Sequence, residues 1–126
     1  MLSSELQAFI HSALRSVWAL EVLLLLRRRS PESLTPDLLT RELRATLTLV
    51  ATCLAQLETA GLVAHQNGAW RFAPASPRLA QLSGELEQAY LETPVAVVDV
   101  IVASPNTRLK NFADAFRFKD KDKDEE

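Results

Sequence analysis

With one cysteine, two histidines and three glycines in 126 residues, the chain lacks the means for several kinds of chemistry. Cys53 has no partner for an internal disulfide, and only His11 and His65 accompany it, so no Cys/His cluster stands at metal-ligand spacing. A lone cysteine of this kind fits a reducing compartment. Gly61, Gly68 and Gly84 stand apart and form no Gly-rich loop to cradle a phosphate. No nucleophile beside a base and no pair of carboxylates in an apolar setting is found, so no catalytic residue, metal or cofactor is expected. Long apolar runs are missing as well. The longest, Val17 to Leu26, contains Glu21 and falls far short of the roughly 20 residues that cross a bilayer. Arg27, Arg28 and Arg29 follow that run and no basic residue precedes Arg15, the reverse of a secretory signal. The expectation is a cytoplasmic protein without membrane contact.

What is present suits one small domain. Apolar residues make up 48% of the chain and charged residues 24%, enough for a single core at this length. The net charge is −2, and Lys119 to Glu126 hold three lysines against five acids, which leaves residues 1–118 balanced at eleven against eleven. The body is not strongly basic. Residues 119–126 read as a charged disordered tail.

Leu6, Ile10, Ala13, Val17, Leu20 and Leu24 recur at steps of four and three, the period of one helical face. They predict a long first helix from Ser4 to Arg28, with a break near Ser12 as an option and Ser4 with Gln7 as a capping box. Ser30-Pro31 ends it. Thr35-Pro36-Asp37 starts a short second helix, Pro36 to Leu43, since threonine caps free N–H groups and proline suits the first helical position. After the Arg44-Ala45 turn, Thr46 caps a third helix whose Leu47, Val50, Leu54 and Leu57 are read as core and which Gly61 stops. Asn67-Gly68 between two short apolar runs predicts a hairpin pairing Val63 with Phe72, Ala64 with Arg71, His65 with Trp70 and Gln66 with Ala69. Ser76-Pro77 opens a further helix to about Leu91. Thr93-Pro94 precedes Val95 to Ala103, read as helix although its valines and isoleucine also suit a buried strand. Leu109, Phe112 and Phe116 mark a last amphipathic helix.

Thr46 to Val63, and above all its ending Leu57-Glu58-Thr59-Ala60-Gly61-Leu62-Val63, resembles the recognition helix and first wing strand of bacterial winged-helix regulators of the MarR/ArsR type. The likeness covers about Ser16 to Pro74. It implies a mainly α fold with a small β-hairpin, a winged helix-turn-helix core at about 16–74 with additional N- and C-terminal helices, the latter at about 77–118. It also implies a transcriptional regulator that binds double-stranded DNA, with the third helix in the major groove and the Asn-Gly wing on the backbone. By position, Thr48, Leu49, Ala51, Thr52, Ala55 and Gln56 face bases. Arg41, Arg44 and Arg71 anchor phosphates, with one of Arg27 to Arg29 as a further candidate, and Thr46 and Asn67 complete the candidate DNA-binding set. Amphipathic helices at both ends of so short a chain imply a homodimer through the Ser4–Leu24 helix and the C-terminal helices.

The resemblance departs from the usual pattern on the third helix, which carries no Arg or Lys and a single charge, Glu58. Arginine to guanine is the commonest direct contact, and this helix offers only threonine hydroxyls, the Gln56 amide and aliphatic groups. The rival reading is therefore a winged helix that binds a protein partner rather than DNA. Cys53 reads as a small buried hydrophobe and His65 with Trp70 as a cross-strand packing pair. Arg27 to Arg29 read as a nucleic-acid or acidic-partner patch and also as basic side chains favoured at a helix C-terminus, two readings that can hold together.

Overall fold

The computed structural model describes residues 2–103. The expected helix around Leu109, Phe112 and Phe116 and the tail at 119–126 lie outside the described residues. Within them the chain is mainly helical, in the order α1 (Ser4–Ala13), α2 (Val17–Arg29), α3 (Pro36–Leu43), α4 (Leu47–Thr59), β1 (Val63–Gln66), β2 (Ala69–Phe72), α5 (Pro77–Glu92) and α6 (Pro94–Val102).

The long first helix is in fact two, bent by 102°. Leu14 turns extended while staying fully buried, and Ser16, also extended, accepts a hydrogen bond from the Ala19 N–H at 3.1 Å as the cap of a new helix. The optional break near Ser12 is thus present and falls at 14–16, just past Ser12, whose hydroxyl bonds back to the Phe9 carbonyl inside α1. The apolar spacing runs across the corner because both helices face one core. Leu6, Phe9 and Ile10 of α1 pack beside α5 and α6, while Ala19, Leu20, Val22, Leu23, Leu24 and Leu26 bury α2 nearly all round as the central element. A straight rod would carry one of those faces into water. The first cap is also one residue earlier than expected: Ser3, not Ser4, accepts from the Leu6 N–H, and the Gln7 amide donates to the Leu2 carbonyl instead of closing a capping box.

The local signals further along are met. Thr35 and Thr46 cap α3 and α4 through their side-chain oxygens, and Gly61 takes φ +79° where α4 ends. Leu47 is a correction: it is 50% exposed, and Cys53 joins Val50, Leu54 and Leu57 on the buried face in its place. At about 100° per residue Leu47 lies roughly 70° from the mean direction of those four, in the first turn of α4. Residues 94–102 are helix, with Val97 and Ile101 buried one turn apart against α5, α1 and α2. Among the described residues no strand lies alongside to pair with this β-branched run, so packing decides its form.

The hairpin has the expected register, Val63 with Phe72 through Gln66 with Ala69. Asn67 and Gly68 both have positive φ, 56° and 80°, as a two-residue turn matched to strand twist requires. Leu34, between α2 and α3, pairs with Trp70 on the free edge of β2. No single described helix is long and apolar enough to cross a membrane.

Candidate functional site

The segment from α3 to α4 is built from caps and one unusual turn. Thr35 begins α3 with its oxygen on the Leu38 N–H at 3.2 Å, Pro36 fills the first helical position, and Asp37 sits in the first turn. Arg44 ends α3 in the left-handed region at φ 56°, and the Ala45 N–H bonds to the Thr40 carbonyl at 3.0 Å. Thr46 then caps α4 through the Leu49 N–H at 3.2 Å. The left-handed conformation costs a non-glycine residue about 1–2 kcal/mol. Glycine is the residue that relieves that cost, so a long cation at this corner is a choice the backbone does not make.

Arg41, in the last turn of α3, Arg44 and Thr46 are exposed around this turn, and Thr48 and Thr52 follow on the exposed side of α4 with Ala51 and Ala55. Leu49, expected to face bases, is half-buried and packs on the core. The threonine hydroxyls are partly engaged: Thr52 donates to the Thr48 carbonyl and Thr59 to the Ala55 carbonyl, each at 3.0 Å. Gln56 diverges from this strip. It is half-buried in an open cleft of about 310 Å³ that it shares with Ala55 and Thr59 of α4 and with Ser12, Ala13 and Arg15 at the corner between α1 and α2. Arg15 thus stands beside the outer half of α4, a placement hidden while 4–28 is read as one helix. Its signal is the capping serine at position 16.

Asn67 is exposed in the hairpin turn, and Arg71 lies half-buried on β2 opposite Ala64. On the other face of the hairpin His65 packs on Trp70, ring centroids 4.4 Å apart, and its Nδ1 lies 3.2 Å from Glu58 Oε2 at the end of α4. The cross-strand packing of His65 with Trp70 is therefore present, and it ties the hairpin to α4.

Apart from Arg15, the described arginines separate into two groups. Arg27 and Arg28 both pair with Glu87 of α5, the second at 2.8 Å; Arg29 pairs with Glu42 at 3.1 Å and Glu32 at 3.6 Å; Arg78 pairs with Glu5. The Arg27–Arg29 run is thereby engaged with carboxylates of the same chain. Arg41, Arg44 and Arg71 have no ion pair among the described residues.

Cys53 is 1% exposed on the inner face of α4, and burial pushes its thiol above the ordinary value while a hydrogen bond with Ser16 works the other way. Among the described residues no group of three or more His, Cys, Asp or Glu side chains converges as a metal site. No protein-family model matches the chain, and no curated protein matches it either.

Proposed function

We propose that the chain is a winged-helix transcriptional regulator that binds double-stranded DNA, with α3 and α4 as the helix-turn-helix and the β1–β2 hairpin as the wing. The observation that carries this reading is the selective pairing of the arginines. Arg27, Arg28, Arg29 and Arg78 are held by glutamates, whereas Arg41, Arg44 and Arg71, on the helix-turn-helix and the wing strand, are left without a carboxylate among the described residues. Guanidiniums so placed suit phosphate oxygens. The left-handed Arg44 fits the same reading: its conformation closes the end of α3, where the Ala45 N–H bonds to the Thr40 carbonyl, and glycine would meet that need at lower cost, so the backbone does not account for an exposed guanidinium there. Thr48 and Thr52 on α4 then face the groove and Asn67 the backbone. A homodimer accompanies this reading, since paired winged domains fill successive major grooves. The apolar face of α1 is covered by α5 and α6 within the chain, so the dimer contact is assigned to the outer side of α6.

A second reading, a protein-binding module, is favoured by the outer side of α4. It has no charge before Glu58, offers the methyls of Ala51 and Ala55, and carries the half-exposed Leu47. Fluorescence anisotropy with mixed genomic DNA fragments across a salt series separates the two. Regulation by DNA binding predicts affinity that falls with salt and a slope reduced by about two in the Arg41→Ala/Arg44→Ala double variant. Arg44→Gly adds a sharper test: relief of the positive φ holds or raises thermal stability while DNA affinity drops. Absence of binding at low salt overturns the regulator and leaves the protein-binding module.

A further inference from the structure

A second cleft opens at the start of α2. Val17, Trp18 and Glu21 of α2 and Leu43 of α3 line an open cleft of about 330 Å³. Trp18 is 39% exposed, one of the few large apolar side chains that the fold leaves in water. Trp18 and Glu21 are three apart on one helix and so share a face. The Glu21 carboxylate accepts a hydrogen bond from the Tyr90 hydroxyl of α5 through Oε2 at 2.8 Å, which anchors it without neutralising it. Among the described residues no arginine forms an ion pair with Glu21. Arg28, the cation that acts on Tyr90, is committed to Glu87.

We infer that this cleft binds a small organic cation, an alkylated ammonium head lying against the Trp18 indole with its charge on Glu21 and its apolar part between Val17 and Leu43. An aromatic face attracts a cation most strongly when tryptophan supplies it, and a fixed carboxylate alongside adds a direct charge partner. A cleft of this size matches a small ligand better than a protein surface. The site is independent of DNA binding and stands or falls separately from it.

The test is a titration of the ¹⁵N-labelled protein with choline, following the Trp18 indole N–H signal, which is assigned by its disappearance in Trp18→Phe. The neutral isostere 3,3-dimethylbutan-1-ol serves as the matched control. The expected result is a saturable shift of the Trp18 signal with choline, at least about tenfold weaker affinity for the alcohol, and a similar loss in Glu21→Gln, whose amide oxygen still accepts the Tyr90 hydrogen bond. No saturable shift by roughly 50 mM choline, equal affinity for the alcohol, or unchanged affinity in Glu21→Gln each overturns the proposal. The comparison of choline with the alcohol uses the unaltered protein and depends on no variant folding.

Discussion

Leu34 and Trp70 exchange both of their backbone hydrogen bonds, the Leu34 N–H to the Trp70 carbonyl at 2.7 Å and the Trp70 N–H to the Leu34 carbonyl at 2.8 Å. This single pair gives the two-stranded hairpin a third partner and holds it to the connection between α2 and α3. Isolated hairpins are marginal in water, and here the strand edge, the buried Leu34 side chain and the half-buried Trp70 ring supply the missing support. The base of the hairpin is thereby set relative to the connection that leads into α3.

The two glycines with positive φ are expected to respond differently to alanine. At Gly68 an added Cβ meets nothing within 4 Å, so Gly68→Ala costs only the backbone strain, about 1–2 kcal/mol. At Gly61 the Cβ would stand 3.3 Å from that of Ala75, so Gly61→Ala costs more. Urea denaturation of both variants checks the order; equal losses contradict the contact.

Glu87 receives two guanidiniums on a side chain only 14% exposed. Its removal leaves Arg27 and Arg28 without their carboxylate, so Glu87→Ala is expected to destabilise by about 1 kcal/mol and each arginine substitution by less. Gly84 leaves room for this contact, since a Cβ there would lie 3.0 Å from Arg27 Nη2. Gly84→Ala should therefore return less than the roughly 1 kcal/mol an open helical site yields. Thermal melts of the four variants measure both effects.

Stability is expected to fall at alkaline pH. Burial raises the Cys53 thiol above its ordinary value of 9, and the hydrogen bond to Glu21 raises the Tyr90 hydroxyl above 10. Both groups lose their protons more readily once unfolded, so above about pH 9 the unfolded state binds fewer protons and stability drops as pH rises. The first decline belongs to Cys53 and the next, above pH 10, to Tyr90. Melting temperatures between pH 8 and 11 should flatten over the first range in Cys53→Ala and over the second in Tyr90→Phe.

Val95 and Val102 lie seven residues apart on one side of α6, 72% and 52% exposed, and Leu91 at the end of α5 is 68% exposed. Apolar residues left in water this way suit a two-fold contact between copies. Sedimentation equilibrium of the full chain at micromolar concentration should give twice the monomer mass, and Val95→Glu should return the monomer with its helix content intact. A monomeric unaltered chain removes the dimer.

Much of this architecture is written in short stretches of sequence. Thr35-Pro36-Asp37 and Thr46 start α3 and α4 through their own oxygens, and Asn67-Gly68 sets the register of four cross-strand pairs, because a cap or a two-residue turn needs only neighbouring atoms. The candidate arginines were legible only through the winged-helix resemblance, which places them along the chain. Their standing was not: Arg27 finds Glu87 sixty residues away, and only that folding partner distinguishes an engaged guanidinium from Arg41 or Arg44. The corner at Leu14–Ser16 eluded the periodicity because its apolar steps continue unbroken from Ala13 to Val17, although the 102° bend sends them to different walls of one core. Local residue order thus fixes where the later helices begin and how the hairpin pairs, through hydrogen bonds closed within a few residues. Packing between distant elements fixed that Leu34 joins Trp70, that Leu47 stays exposed and which arginines find a carboxylate among the described residues, because each depends on what those elements bring alongside.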